Sequence, residues 1–213
     1  MHTEMRPAIA GVIDDFHHAL YRHFLGVSWL GVETLKTPMD LMAYQEILTE
    51  RGPDLIIETG SYKGGSALFL ACMCDIFDHG RVVSVDVAPA AELPLHPRIT
   101  WLTGDSVSGD VIADIALERA GVDTAMVVLD SNHRRGHVLR ELRAYADMVS
   151  VGQYLIVEDT NINGHPVYAD FGPGPWEAVG RFLSEQKGAF VIDPSREKWL
   201  VSFNPGGYLQ RVA

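Results

Sequence analysis

Leu55-Ile56-Ile57-Glu58-Thr59-Gly60-Ser61-Tyr62-Lys63-Gly64-Gly65-Ser66 decides the fold of this chain. A short apolar run ends in an acid, turns through closely spaced glycines and enters a helix-forming segment. That is the order strand, tight turn, helix. Glycine lets the backbone turn sharply there and lets a ligand approach it closely.

Working outward, short apolar runs recur at 82–86, 99–102, 125–130, 154–158, 189–192 and 198–203, with helical patterns at 8–25, 38–51, 65–77, 107–120, 135–147 and 175–187. Thr37-Pro38-Met39-Asp40 offers a capping hydroxyl, a first-turn proline and an acid, so a helix starts there; Gly52-Pro53 stops it. Gly121 closes another helix. The first strands are apolar throughout, as central parallel strands covered on both faces must be. The alternation predicts an α/β fold: one doubly wound, Rossmann-like, mostly parallel sheet of seven strands. Asp193-Pro194-Ser195-Arg196-Glu197 is too short for a helical crossover, so the last two strands should pair antiparallel at one edge. Residues 1–213 read as a single domain, with a helical cap segment at 1–52 and an α/β core at 53–213.

The composition narrows the function. Of 213 residues 47% are hydrophobic and 21% charged, the balance of a globular protein. Lys+Arg 17 against Asp+Glu 28 gives a net charge of −11, which argues against a nucleic-acid partner because phosphate contacts need clustered cations. The first residues carry acids and histidines where a signal peptide has an apolar run, and no stretch has the ~18 apolar residues of a membrane span. Cys72 and Cys74 diverge on a helix, suited neither to a disulfide nor to zinc. The expected location is cytoplasmic. The helix at 8–25, with Ile9, Val12, Ile13, Phe16, Leu20 and Phe24, could dock on its own core or make a homo-oligomer.

Acids end four of the apolar runs: Glu58, Asp86, Asp130 and Glu158, the last followed by Asp159. In an open parallel sheet these ends line the ligand crevice, so the crevice should be acidic. A dinucleotide fingerprint needs glycine at 60, 62 and 65, but position 62 is Tyr; a Walker loop needs Gly-Lys-Ser/Thr, but Lys63 precedes the glycines. Phosphate cradling is disfavoured. A nucleoside ligand without phosphates fits instead, with Asp86 accepting from the ribose hydroxyls.

Glu58-x-Gly60-x-Tyr62-x-Gly64-x-Ser66 resembles motif I of class I S-adenosylmethionine-dependent methyltransferases, in the catechol-type, metal-dependent variant. Trp29-x-Gly31, Lys36-x-Pro38-x-Asp40, Leu129-Asp130-Ser131-Asn132-His133, Val157-Glu158-Asp159-Thr160, Gly172-Pro173-Gly174-Pro175-Trp176 and Asn204-Pro205-Gly206-Gly207-Tyr208-Leu209 together resemble the cephalosporin hydroxylase family, which includes rhamnosyl O-methyltransferases. The match covers about residues 27–210. The resemblance implies that Glu58 and Tyr62 contact the methionine side of the donor, that Gly60, Ser61, Gly64 and Ser66 form its pocket, and that Asp86 holds the ribose. Asp105 and Ser106 would lie by the adenine.

Three carboxylates gathered at Asp130, Glu158 and Asp159 repel by about 4 kcal/mol per pair at ~4 Å and an effective dielectric of ~20. Protons, a buried lysine or a cation must offset this. All-oxygen ligands suit Mg²⁺ or another hard divalent cation, and the resemblance implies the same three residues as its ligands. His133 follows Asp130 by three residues, where catechol-type enzymes have a lysine, and can take a proton as general base. An aliphatic hydroxyl is about as weak an acid as water (pKa ~15.7), so base and cation must act together. His137, one turn on, reads as a helix-surface residue. The Gly/Pro/aromatic stretch from Thr160 to Trp176 reads as a loop covering the acceptor, with Tyr168, Phe171 and Trp176 against a ring and Lys36 as a further substrate contact.

The expected activity is an S-adenosylmethionine- and Mg²⁺-dependent O-methyltransferase acting on a small-molecule hydroxyl, a sugar of a natural product. Two rivals stand beside it. One is a hydroxylase or oxidase, which would want two His and one carboxylate around iron; the other is a donor-binding, non-catalytic subunit.

Overall fold

A computed structural model describes residues 2–23 and 26–213 of the chain. Helix α1 (His2–His23) precedes a small hairpin of β1 (Ser28–Trp29) and β2 (Val32–Glu33), then α2 (Pro38–Arg51). Strand and helix then alternate through β3 (Leu55–Thr59), α3 (Gly65–Ile76), β4 (Arg81–Asp86), β5 (Ile99–Thr103), α4 (Gly109–Arg119), β6 (Ala125–Leu129), α5 (Arg135–Tyr145), β7 (Tyr154–Val157), α6 (Pro175–Gln186), β8 (Phe190–Ile192) and β9 (Tyr208–Arg211). The sheet order is β5-β4-β3-β6-β7-β9-β8. Strands β3 to β7 run parallel, and β9 pairs antiparallel with both β7 and β8.

Side chains alternate across this sheet and fill two cores. Ile57, Val83, Val127 and Leu155 face one way, against Val111 and Ile115 of α4, Leu142 and Tyr145 of α5 and Phe182 of α6. Ile56, Val82, Met126 and Ile156 face the other way, against Ala43, Tyr44 and Ile47 of α2 and Leu70 and Met73 of α3. Burial on both faces explains why these runs read as unbroken apolar stretches. Helix α2 is therefore part of the sandwich and not of a separate cap. Its expected ends hold: Thr37 accepts from the Asp40 N–H, and Gly52 closes it with φ 47°.

One strand assignment fails. Residues 198–203 form no strand: a 3-10 turn (Pro194–Glu197) intervenes, and the segment then fastens onto buried Asp40. Ser202 Oγ donates to Asp40 Oδ1 at 2.6 Å and the Phe203 N–H to Oδ2 at 3.0 Å, so this backbone serves a carboxylate and not a ladder. The last strand is β9, and the antiparallel edge pairing holds with it.

The apolar face expected of α1 is only partly covered by the chain's own core. Val12 and Phe16 are exposed, while Phe24 lies outside the described residues. The helix seats through His17, which is buried, stacks on Phe203 (centroids 5.6 Å apart, planes within 3°) and lies 3.0 Å from Asn161. Tyr21 packs edge-on to the same Phe203 ring, so an aromatic and a polar contact, both invisible to an apolar count, hold the helix here. Among the described residues no helix is long and apolar enough to cross a membrane.

Candidate active site

The turn after β3 meets the turn after β6 so closely that only glycine fits between them. Gly60 has φ 92°, and a Cβ there would lie 1.9 Å from the Asp130 carbonyl oxygen. That contact sets the Asp130 turn against the glycine turn. A cleft of about 720 Å³ opens across the carboxyl ends of β3, β4, β5 and β6. Gly60, Ser61, Tyr62, Ser66, Asp86, Asp105, Ser106, Asp130, His133 and Asp159 all line it. Asp86 accepts the N–H groups of Tyr62 and Ala88, each at 2.8 Å, which fixes its carboxylate at the rim.

Two expected donor contacts lie elsewhere. Glu58 is fully buried and does not line the cleft. Ser61 and Ser84 hydroxyls lie 2.7 Å apart, and Ser84 donates to Glu58 at 2.5 Å, so Glu58 anchors the floor from below. Its burial raises its pKa, against the charge of Lys36. Gly64 does not face the cleft either; a Cβ there would meet Pro94 at 2.7 Å and Trp101 at 2.8 Å.

The acids do converge, but not in the expected set. Asp130, His133 and Asp159 offer ligand atoms that all lie within 4.8 Å of one another. His133 is wedged between the carboxylates, Nε2 3.2 Å from Asp130 and Nδ1 3.3 Å from Asp159. Glu158 stands outside that set: its Oε1 accepts from the Tyr44 hydroxyl and lies 2.8 Å from Lys36. Lys36, expected at the substrate, does not line the cleft. It is buried and its ammonium bridges Glu158 and Asp130, each at 2.8 Å.

The electrostatics follow from counting charges. Burial disfavours the Lys36 charge, yet Asp130, Glu158 and Glu58 outweigh it and hold its pKa well above the ordinary lysine range. One ammonium cannot serve all these acids. Burial, with Asp130 and Asp40 nearby, pushes Glu158 up to about 7 despite Lys36. Asp159 is raised by burial and by Asp130, against His133. Desolvation works against the His133 charge, yet Asp159 and Asp130 push its pKa up to about 9 although the ring is only half-buried. The cleft thus has more negative than positive charge: despite its burial, Asp130 is held below the ordinary carboxylate range by Lys36 and His133, while Asp159 is displaced upward. Asp130 and Asp159, two carboxylates open to the cleft with His133 beside them, offer oxygen ligands that fit a hard divalent cation. Two histidines with one carboxylate, the set iron would want, are not gathered here among the described residues.

Replacing Lys36 with methionine keeps the length of the side chain and removes its charge. Breaking a buried ion pair in this way costs about 3–5 kcal/mol, and urea unfolding should show that loss. A loss under about 1 kcal/mol would mean that the acids are already neutral without it.

The loop after β7 does not place its aromatics on the cleft. Tyr168 is exposed and packs edge-on to Phe171, Phe171 lies under the Arg134 guanidinium (4.4 Å), and Trp176 stacks on His165 (4.6 Å). Composition shows that a loop is aromatic but not which way its rings turn. Glu177 ties this loop to α6, accepting from Asn163 at 2.8 Å and the Gly174 N–H at 2.7 Å, with His165 at 3.1 Å. Burial works against the Glu177 charge, but these bonds win and hold its pKa at about 2, below the usual 4.5. A depressed carboxyl contributes stability that is full above the unfolded value and lost as pH falls through the folded one. The gap in urea midpoint between wild type and Glu177→Ala should therefore be constant above pH ~5 and shrink by pH 3. An unchanged gap at pH 3 would show that the charge plays no part.

Two further residues line the cleft that the sequence reading did not place there. Tyr21 of α1 lines the cleft, packs edge-on to Phe203 and feels the Asp159 charge, which with burial raises its pKa. His137 lines the cleft too, instead of sitting on the helix surface. Its four-residue spacing from His133 was the available clue.

The family model described as Rhamnosyl O-methyltransferase/CmcI matches residues 22–212. A rhamnosyl O-methyltransferase of Mycobacterium leprae (strain TN) is 36% identical over 210 residues, covering 94% of this chain and 90% of that protein. One of Mycobacterium tuberculosis (strain ATCC 25618 / H37Rv) is 35% identical, covering 97% and 87%. Among solved structures, a CmcI with Mg and SAM is similar with TM-score 0.71 at 21% identity, covering 90% of this chain and 78% of that one. The O-methyltransferase TomG from Streptomyces achromogenes, in complex with SAM, gives TM-score 0.55 at 16% identity, covering 94% and 90%. At those identities the solved structures share the fold.

Proposed function

We propose a sugar hydroxyl as the acceptor of this chain, which belongs to the Rhamnosyl O-methyltransferase/CmcI family. The reaction is methyl transfer from S-adenosylmethionine to that oxygen. The observation that carries the reading is the meeting of Asp130, His133 and Asp159 at one end of a cleft whose other walls carry Asp86 and Ser106.

The donor supplies a methyl group already on a good leaving group, a sulfonium, so the protein's task is alignment. Gly60, Ser61, Tyr62 and Ser66 would bind its methionine side, Asp86 its ribose hydroxyls, and Asp105 and Ser106 its adenine. Glu58 supports them through Ser84. A hard divalent cation held by Asp130 and Asp159 would supply positive charge that acidifies a neighbouring hydroxyl. Glu158, paired with Lys36, braces Asp130 from behind. His133 stands on the cleft at the same point and takes the hydroxyl proton as the methyl arrives. Tyr21, across from Asp159, walls the acceptor side. The two free cysteines agree with a reducing, cytoplasmic location.

The test is product formation. With S-adenosylmethionine and p-nitrophenyl α-L-rhamnopyranoside among a panel of sugar glycosides, mass spectrometry should find an acceptor heavier by one methylene. Consumption of oxygen with no methylated product would favour an oxidase instead.

A further inference from the structure

Helix α5 sends a buried acid toward the carboxyl ends of two strands that are not neighbours. Glu141 is 1% exposed and does not line the cleft. Its Oε1 accepts from Ser106, at the turn after β5, and from Ser131, at the turn after β6, each at 2.6 Å. Strands β4 and β3 stand between β5 and β6, so this carboxyl ties two opposite walls of the cleft. Tyr145, from the same helix, donates to the Ser106 carbonyl at 2.7 Å.

The proton positions form one consistent chain. His137 lies 3.1 Å from Ser106 Oγ through Nε2 and 3.3 Å from Arg140 through Nδ1. A guanidinium only donates, so Nδ1 accepts and Nε2 carries the hydrogen. Nε2–H then donates to Ser106, whose own hydrogen goes to Glu141. Ser106, Ser131, His137 and Arg140 all line the cleft. The cost of the arrangement is visible: Glu141 Oε2 is buried without a hydrogen-bond partner, which an apolar residue in that place would avoid.

We infer that Glu141 is a positioning residue for the adenine end of the donor pocket, fixing the turns of Ser106 and Ser131 at the separation that grips a purine. The inference rests on the reading that an adenosyl donor fills this cleft. Its test is calorimetric titration with S-adenosylhomocysteine, which needs no acceptor and no turnover. Glu141→Ala and Ser106→Ala should each weaken binding about tenfold. The double variant should be no weaker than the worse single one, because residues of one network do not add. Glu141→Gln keeps an accepting oxygen and should stay within about threefold of wild type. Ser131→Ala, a small change that leaves the helix packed, should weaken binding with an unchanged melting temperature. Should Glu141→Ala fail to fold, Ser106→Ala, Ser131→Ala and Glu141→Gln decide the matter. Wild-type affinity in both serine variants, or additive losses in the double variant, would overturn the inference. No binding by the wild-type protein would instead overturn the donor reading, and the inference with it.

Discussion

Replacing His133 with alanine should cut methyl-transfer turnover by about 10²–10⁴, the ordinary contribution of a general base, while the affinity for S-adenosylhomocysteine changes less than about twofold. The geometry separates the two effects. His133 lies at the acid cluster, touching Asp130 and Asp159, whereas the donor-side residues follow from the glycine turn and Asp86. A histidine held protonated by two carboxylates, with its pKa pushed up to about 9, is no base at neutral pH. Positive charge placed on those carboxylates removes the attraction that retains the proton, so base and cation are interdependent. Turnover near wild type would remove His133 from the mechanism.

The second large effect is therefore on chelation. Dialysis against EDTA should lower methyl transfer by at least about 10², and Mg²⁺ should restore it. An unassisted imidazole faces an alcohol roughly nine pKa units weaker as an acid, too wide a gap for it to bridge alone. Among the described residues Asp130, Glu158 and Asp159 have only Lys36 and His133 for counter-charge in their immediate contacts, and Glu158 and Asp159 are both displaced toward their protonated forms. Activity that survives chelation undiminished would leave the imidazole to act without a metal.

Much of this was legible in the order of residues. The strands covered on both faces had to be apolar throughout, and their terminal acids mark the sheet edge where a ligand binds. Asp86 and Asp130 follow from that alone, whereas Glu58 lies buried beneath the cleft. Lys36 was not legible, because its partners lie 94 and 122 residues away and nothing in its neighbours marks a lysine as buried. Of the three possible neutralisers of the acids, a buried lysine proved to be present. Glu158 and Asp159 are adjacent in sequence, yet one turns inward to Tyr44 and the other outward to His133. Spacing places a carboxylate at a strand end; packing against α2 decides which way it faces. The stretch at 198–203 misled for a related reason. Of its apolar residues Val201 and Phe203 are buried while Trp199 and Leu200 are exposed, and the backbone at 202–203 closes around Asp40 instead of pairing in a ladder.

Crystals of the protein grown with S-adenosylhomocysteine and Mn²⁺ test the central claim most directly, because manganese scatters anomalously and shares the oxygen-rich sites of magnesium. A single anomalous peak should lie at coordination distance from Asp130 and Asp159, with room beside it for an alcohol facing the sulfur of the thioether. A cleft holding the thioether but no peak at those carboxylates, at millimolar metal, would contradict it.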